Sequence, residues 1–351
     1  MEKKSKKSGK IQSKKANIKQ SISKAHTKKH ENIPLNKRKV KKIKYFSDLG
    51  VNIPQKLPPL HELCFSNEYT IIPTLPTFNL NQEGWCYGAS TKQGSYRESN
   101  QDRFCVVSPI QSDPHGILAG VFDGFETEFC SKLLSETLLF DLNSALPSID
   151  KMENKLQFLL KNLYEQLILK MESENQKGGS TSIVSVIAHK QIIIANIGDS
   201  FSCLIKKDKS ILLNKLHNAS NPSEATLIEN RGGYILSLGN IPRVQGEIML
   251  TRAVGVFRLN EILSREPEIF TYNIEDDDLY LVMGTDGLIG FISLEEIFNY
   301  FNTHQKESNI SLAEGLVNLA LNKNSSDNVT AIVLNLRTLV QGPFPEDKCT
   351  I

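Results

Sequence analysis

The segment LAGVFDGFETEF, residues 118–129, places an apolar run directly before an Asp-Gly pair. Asp-Gly is a strong turn signal, so the segment predicts a strand that ends in a tight turn. Asp123 therefore either turns the chain or supplies a ligand at the end of that strand. The choice depends on whether other carboxylates occupy equivalent positions elsewhere in the chain.

Four further aspartates stand at the ends of predicted strands. Asp102 precedes RFCVVSPI and Asp327 precedes VTAIVLNL, whereas Asp199 follows the run ending in NIG and Asp286 follows LYLVMGT. Each one alone is ordinary turn chemistry. Together, carboxylates at the mouths of stacked strands would repel one another unless a cation lay among them. Mg²⁺ and Mn²⁺ bind such oxygen ligands, so the set favours a divalent metal site.

Arg97 lies shortly before Asp102 in the chain. A guanidinium beside acidic residues ordinarily forms an ion pair with one of them. Its planar fork also matches the geometry of a phosphate group. The sequence leaves both roles open for Arg97.

Charge divides the chain into an arm and a body. Of the 41 Lys and Arg, 17 lie in residues 1–44 beside only two Glu, which leaves 24 basic and 37 acidic side chains in the remainder. We predict a disordered basic arm (1–44), a Pro-containing linker (45–83), a folded domain (84–340) and a C-terminal tail (341–351). NKRKVKKIK (36–44) resembles a nuclear import signal, and such runs also bind polyanions.

The predicted elements favour antiparallel sheets over an alternating parallel fold. Strand-like runs outnumber helical ones, and several follow one another through short turns. Apolar residues at spacings of three and four predict helices within 128–172, and further helices are expected at 221–233, 293–304 and 311–323. A layered α+β sandwich is the expected architecture.

Cysteine usage and hydropathy indicate an intracellular protein. The six cysteines show no C-x-x-C spacing, which argues against a zinc site or a disulfide framework. No apolar stretch is long enough to span a membrane, and the N-terminal residues lack the apolar region of a secretory signal. We expect a monomer in the cytoplasm, the nucleus or both.

Seven short motifs follow one another along the chain. They are RESNQD (97–102), VFDG (121–124), GGSTSIV (178–184), ANIGDS (195–200), LTRAVG (250–255), GTDGL (284–288) and SSDNVTAIV (325–333). Each is weak alone, but in this order and spacing they resemble the metal-dependent serine/threonine protein phosphatases of type 2C, the PPM family. The resemblance covers about residues 84–337.

This resemblance implies a four-layer α/β/β/α sandwich, in which two antiparallel sheets are flanked by helices. It also implies two Mg²⁺ or Mn²⁺ ions that bridge a water at one edge of the sheets. Asp123 would bridge both ions, and the Gly124 carbonyl would bind one. Asp102, Asp286 and Asp327 would complete the other ion's shell, directly or through water. Arg97 would hold the substrate phosphate, and Asp199 would match a third, weaker metal site.

The sequence departs from the family pattern at several positions. The family usually reads Asp-Gly-His-Gly-Gly where this chain has DGFET, so Phe125 replaces a His thought to protonate the leaving oxygen. Glu126 and Thr127 replace glycines. The other departures are Gln101, Val256, Gly290, the missing Asp before His217, and Leu227.

Two functions follow from these matches and departures. The retained ligands favour a Mg²⁺- or Mn²⁺-dependent phosphatase that hydrolyses phosphoserine and phosphothreonine in a phosphoprotein substrate. The DGFET segment favours a pseudophosphatase, a binding or scaffold module that keeps the fold without turnover. A metal-dependent nuclease is disfavoured, because an acidic body repels the nucleic-acid backbone.

Overall fold

A computed structural model of the chain describes residues 79–146 and 152–341. The predicted basic arm, most of the linker and nearly all of the tail lie outside these residues, so the import signal stays a prediction. The first described strand begins at Asn79, within the last residues assigned to the linker.

The described residues form sixteen strands. In chain order they are β1 (Asn79–Gly84), β2 (Tyr87–Lys92), β3 (Arg103–Val107), β4 (Ile117–Phe122), β5 (Gly124–Phe125), β6 (Gly179–Ser180), β7 (Ser182–Ala188), β8 (Gln191–Ile197), β9 (Phe201–Lys206), β10 (Ser210–Leu212), β11 (Ile235–Leu238), β12 (Ile241–Val244), β13 (Val254–Gly255), β14 (Glu268–Asn273), β15 (Asp278–Gly284) and β16 (Val329–Asn335).

Two large antiparallel sheets form the centre of the fold. One has six strands in the order β1-β2-β16-β15-β9-β10, and the other has five in the order β14-β8-β7-β4-β3. The apolar core between them takes Phe104, Ile117 and Ile194 from the five-stranded sheet and Leu281 and Ile332 from the six-stranded one. The α+β class and the antiparallel sheets predicted from the sequence are therefore confirmed.

The described residues also form eight α-helices and a π-helical turn, and six of the helices cover the outer faces of the two sheets. In chain order these elements are α1 (Phe129–Leu133), a π-helical turn (Leu134–Leu138), α2 (Leu139–Ala145), α3 (Met152–Ser173), α4 (Pro222–Asn230), α5 (Asp286–Ile289), α6 (Leu294–Thr303), α7 (Asn309–Asn322) and α8 (Leu336–Gln341). Helices α1 to α3 share a core with the five-stranded sheet, and α5 to α7 share one with the six-stranded sheet. Because both faces of each sheet are covered, central strands such as β4 are buried along their whole length.

The helix signals in the sequence are borne out by cap geometry. The Asn221 side chain accepts a hydrogen bond from the Ser223 amide at the start of α4, and Pro222 occupies the first turn. Helix α6 begins with a capping box between Ser293 and Glu296. The helical region predicted at 128–172 is divided, since a π-helical turn separates α1 from α2 and residues 147–151 are not described.

A fourth, smaller core lies around α4 and the β11–β12 hairpin. Its buried residues, here called the small core, are Ala219, Ile228, Val244, Leu250, Ala253, Val256, Leu259 and Leu263. A three-stranded ribbon in the order β13-β6-β5 joins the segment after β4 to this region. No helix in the described part of the chain is both long and apolar enough to cross a membrane.

Candidate metal centre

Antiparallel pairing places Asp102 and Asp123 beside each other. Asp102 precedes β3 and Asp123 follows β4, and the adjoining residues Arg103 and Phe122 are cross-strand partners. A strand that starts at one edge of an antiparallel sheet lies next to a strand that ends there. Asp102 and Asp123, which are well separated in sequence, therefore lie at the same edge of the five-stranded sheet.

The same rule brings the other three aspartates to one edge. Asp286 follows β15, Asp327 precedes β16 and Asp199 precedes β9. Gly284 at the end of β15 is paired with residues near the start of both β16 and β9. The five predicted acidic ligands are thus assembled from both sheets.

The pKa values of these carboxyl groups report how strongly they interact. Burial, followed by the charges of Asp102, Asp286, Asp199 and Asp327, raises the pKa of Asp123 well above its usual value. Burial first, and then Asp286 and Asp327, raise the pKa of Asp199. Burial also dominates the rise for Asp102, to about 7, and for Asp286. Without a cation, the cluster holds its negative charge at a cost.

Asp286 provides the test of fit for a metal ion. Its Oδ1 atom is buried and has no hydrogen-bond partner. Burying a carboxylate oxygen without a partner costs free energy, and a divalent cation would remove this cost by taking the oxygen as a ligand. The donor set is all carboxylate and carbonyl oxygen, which suits Mg²⁺ or Mn²⁺ and not a thiolate-binding metal. The residues present fit the predicted metal.

Two threonine hydroxyls orient Asp102. Its Oδ2 accepts hydrogen bonds from Thr330 Oγ1 at 2.7 Å and Thr285 Oγ1 at 3.0 Å. Thr330 Oγ1 also lies 2.8 Å from Thr91 Oγ1, and the Asp102 amide donates to Asn100 Oδ1 at 3.0 Å. The bonds from Thr330 and Thr285 fix the Asp102 carboxylate and oppose the rise in its pKa.

A second hydroxyl pair supports Asp123. Its amide donates to Thr181 Oγ1 at 3.0 Å, and its carbonyl accepts from the Thr181 amide at 2.9 Å. Thr181 Oγ1 lies 2.7 Å from Ser200 Oγ, next to Asp199. The next residue, Gly124, has no room for a side chain, because a Cβ there would collide with the Gln101 carbonyl.

Arg97 forms an ion pair with Asp327. Its Nε and Nη2 atoms donate to Asp327 Oδ1 and Oδ2 at 2.6 and 2.5 Å. The Arg97 side chain is 45% exposed, so the guanidinium lies at the mouth of the cluster. Of the two roles that the sequence left open, this structure shows the ion pair.

His217 holds the backbone next to Asp199. Its Nδ1 accepts from the Gly198 amide at 3.3 Å, which leaves Nε2 to donate to Glu268 Oε2 at 2.8 Å. Burial, and then the charge of Arg252, lower the pKa of His217. A neutral, fully buried imidazole therefore fixes the turn that carries the third-site candidate.

A second group of acidic residues has its carboxylate oxygens close enough together to be considered as a metal site. Among the described residues, one group has three acidic ligand atoms within 4.8 Å of one another, namely Glu275, Asp277 and Asp278. The Lys206 ammonium lies 2.7 Å from Glu275, 3.0 Å from Asp277 and 2.7 Å from Asp278. One buried ammonium already pairs with all three carboxylates, so we interpret the group as a structural ion-pair cluster at the far end of β15 from Asp286.

Comparison with known proteins identifies the family. Residues 87–329 match the family model described as Protein phosphatase 2C, which is more than half of the chain. The chain belongs to the protein phosphatase 2C family. The resemblance recognised from the seven motifs is therefore confirmed.

Sequence relatives of this family occur in plants and animals. The chain is 27% identical over 267 residues to Probable protein phosphatase 2C 2 of Arabidopsis thaliana, covering 73% of this chain and 69% of the relative. It is 30% identical over 256 residues to Protein phosphatase fem-2 of Caenorhabditis elegans, covering 69% of this chain and 57% of that protein.

Solved structures confirm the sandwich. A structure described as a C. elegans sex determining protein has a TM-score of 0.67 at 26% identity, covering 74% of this chain and 67% of that one. The serine-threonine phosphatase 2C of Toxoplasma gondii has a TM-score of 0.61 at 21% identity, covering 76% and 98%. At this low identity, the likeness to the Toxoplasma gondii structure shows that the fold is shared.

Two departures from the phosphatase 2C pattern lie against each other. Phe125 packs against the small core, to which Val256 belongs. Both side chains crowd Gly179 in β6, where an added Cβ would lie 2.6 Å from each of them. Where the family pattern has a His and an Asp, this chain therefore has an apolar contact across the ribbon.

One of the two replaced glycines, at Glu126, keeps a left-handed backbone, with a φ of +66°. Val256, where the family pattern has an Asp, is also left-handed, with a φ of +58°. Gly290, another departure, ends α5, and a Cβ there would lie 2.9 Å from the Asp286 carbonyl. Positions 256 and 290 therefore provide no carboxylate that could join Asp199 in a third metal site.

Proposed function

We propose that this protein hydrolyses phosphoserine and phosphothreonine in proteins, using two Mg²⁺ or Mn²⁺ ions. The observation that carries the proposal is the convergence of five carboxylates, one with a buried unpaired oxygen, beside an exposed guanidinium. Membership of a metal-dependent phosphatase family supports it. The folded body is acidic, which favours divalent cations over a polyanionic substrate.

The ligands are assigned by the family pattern and their positions here. Asp123 would contact both ions, and the Gly124 carbonyl would contact one. Asp102, Asp286 and Asp327 would hold the other ion, and Asp199 a third, weaker one. When bound, the ions would supply a water of lowered pKa and offset charge on the phosphoryl oxygens.

The chain's own residues orient these groups. Thr285 and Thr330 hold the Asp102 carboxylate in a single orientation. Thr181 fixes the backbone of Asp123 from two sides. Arg97 would grip the substrate phosphate through its planar fork, once it exchanges Asp327 for phosphate.

Phe125 leaves the leaving oxygen without a proton donor from that position. A phenyl ring carries no acidic proton, and the alcohol oxygen that departs from phosphorus must take one from water. We therefore expect slow turnover, most of all for alkyl phosphates with poor leaving groups.

The test is hydrolysis of an aryl phosphate with millimolar Mn²⁺. We expect activity that is lost on chelation and in Asp286→Asn. Absence of activity in the intact protein at millimolar Mn²⁺ would overturn the proposal.

The DGFET segment favours a second candidate, the pseudophosphatase. Phe125 is engaged with the small core and Glu126 with Arg258, so the segment is adapted to packing. Titration calorimetry combined with the aryl phosphate assay separates the two candidates, because the pseudophosphatase would bind Mn²⁺ or a phosphopeptide without turnover.

A further inference from the structure

The DGFET segment leaves regular structure shortly after Asp123 and continues through a strained residue. Strand β5 is only two residues long, and its pairing with β6 ends at Phe125. The next residue, Glu126, is in a left-handed conformation that costs an L-residue free energy. Such a conformation persists where the surroundings hold it.

Arg258 supplies that hold. Its Nη2 lies 2.6 Å from Glu126 Oε1, while its Nε donates to Glu247 Oε2 at 2.7 Å. Arg258 belongs to the 3-10 turn Phe257–Leu259, directly after the left-handed Val256. One guanidinium therefore divides its fork between the DGFET segment and the turn that follows β12.

A hydroxyl holds the next residue of the segment. Thr127 Oγ1 donates to the Lys177 carbonyl at 2.7 Å. The adjoining Gly178 has no space for a Cβ, which would lie 2.6 Å from the Phe125 carbonyl. The backbone around Glu126 is thus confined on both sides, and the ion pair with Arg258 engages its side chain.

We propose that Arg258 is a positioning residue that acts through Glu126 to fix the backbone of Asp123 and Gly124 at the metal centre. This inference rests on the proposed function, since it assigns the Gly124 carbonyl as a ligand. In a chain with glycines after Gly124, the backbone adopts the left-handed shape without strain. Here a charged pair holds a strained residue in that shape.

The size of the effect follows from exposure. The side chains of Glu126 and Arg258 are 37% and 45% exposed, so solvent screens the pair. Pairs of this kind change an equilibrium constant by at most about fivefold. We expect effects of about two- to fivefold, which diminish at high salt.

Glu247 provides a matched control. Glu126→Gln and Glu247→Gln remove the same charge from the same guanidinium, and Gln keeps the side-chain shape at each position. Hydrogen exchange of the amides in residues 123–128 of the metal-free protein should accelerate in Glu126→Gln and stay within twofold in Glu247→Gln. Mn²⁺ affinity measured by calorimetry should fall in the first variant alone.

Charge reversal adds a rescue test. In a Glu247→Gln background, Glu126→Arg and Arg258→Glu should each accelerate exchange of residues 123–128, and the two together should restore slow exchange. Equal behaviour of Glu126→Gln and Glu247→Gln, or no rescue by the reversed pair, would overturn the inference. Failure of the proposed function is separate, because it appears as an inactive wild-type protein while the exchange measurement still reports on the pair.

Discussion

Arg97 and Asp327 form a two-bond ion pair although 229 residues separate them in the chain, with distances of 2.6 and 2.5 Å. Both residues belong to the proposed site, one as phosphate ligand and the other as metal ligand. A cation bound at the proposed site would therefore compete with the guanidinium for the Asp327 carboxylate. The pair also raises the pKa of Arg97, so its charge is retained throughout the working pH range.

Replacing Arg97 should separate these two roles. In Arg97→Ala, Asp327 loses its partner, so we expect Mn²⁺ to bind up to about fivefold more tightly, as befits a partly exposed pair. The Michaelis constant for a phosphorylated peptide should rise about tenfold or more, since a charge-assisted phosphate contact is lost. Arg97→Lys serves as control, because it keeps the charge without the fork. Weaker Mn²⁺ binding in Arg97→Ala would contradict the competition.

Metal binding should stabilise the fold through the aspartate cluster and not through the Lys206 cluster. A ligand at a hundred times its dissociation constant adds about 2.7 kcal/mol to the free energy of unfolding. Mn²⁺ should therefore raise the melting temperature of the wild type and of Glu275→Gln, but not that of Asp286→Asn. A Mn²⁺ shift that disappears in Glu275→Gln would locate the ion among Glu275, Asp277 and Asp278 instead.

Mn²⁺ affinity should depend on the hydroxyl of Thr330 more than on the volume of its side chain. Thr330→Val removes the donor to Asp102 Oδ2 and keeps the side-chain volume, whereas Thr330→Ser keeps the hydroxyl. Hydrogen bonds to charged groups contribute about 1.5–3 kcal/mol, so Mn²⁺ affinity should fall about tenfold or more in the Val variant. Calorimetry should give near wild-type affinity for the Ser variant. Equal losses in both would mean that packing, not hydrogen bonding, sets the affinity.

The metal-free protein should lose stability as pH rises through the weakly acidic range. Burial, with the charges of Asp327 and Asp286, raises the pKa of Asp102 from 3.8 to about 7. Between those values the folded protein holds a proton that the unfolded chain has released, so the free energy of unfolding falls from about pH 4 to about pH 7. His217, whose pKa is lowered, contributes with the opposite sign below about pH 6.5.

Asp102→Asn isolates the aspartate contribution in that experiment. Denaturant unfolding in chelator should show a flatter pH dependence for this variant than for the wild type, while His217 contributes equally to both. Parallel curves for the two proteins would show that Asp102 is ionised in the folded state.

The sequence predicts the positions of the acidic residues but not the groups that support them. Asp102 and Asp123 could be placed together because antiparallel pairing sets the start of one strand beside the end of the next. Thr91 and Thr330 gave no signal, since a buried strand hydroxyl looks the same whether it bonds to a backbone or to a carboxylate. The sequence also left the partner of Arg97 open, because a guanidinium pairs equally well with a carboxylate or with a phosphate.

The DGFET segment shows the same limit. Phe125 could be recognised as a departure from the family pattern, but its contact with the small core depends on the ribbon that pairs β5 with β6. Likewise the Glu126 partner, Arg258, lies in a turn that no local pattern in the sequence marked. Contacts between two irregular segments depend on tertiary structure, which local propensity does not encode.

Phe125→His should restore proton donation to the leaving oxygen. Turnover of a phosphoserine peptide should rise relative to turnover of an aryl phosphate, because the alkoxide is the poorer leaving group and needs the proton more. The gain should decline as pH rises through the pKa of the new imidazole, near 6.5, since only the protonated form donates. Steady-state rates on both substrates between pH 5.5 and 8.5 provide the measurement.

Phe125→Leu is the matched control for that experiment. It keeps an apolar side chain against the small core and carries no proton, so the ratio of the two rates should match the wild type. Phe125→His exchanges apolar contact for a polar ring, so its melting temperature should fall by a few degrees while its preference for the alkyl substrate grows. An equal gain on both substrates would show that the imidazole acts on metal binding or phosphate binding and not on the leaving oxygen. The position of Phe125, one residue after Gly124, makes the leaving-group effect the expected result.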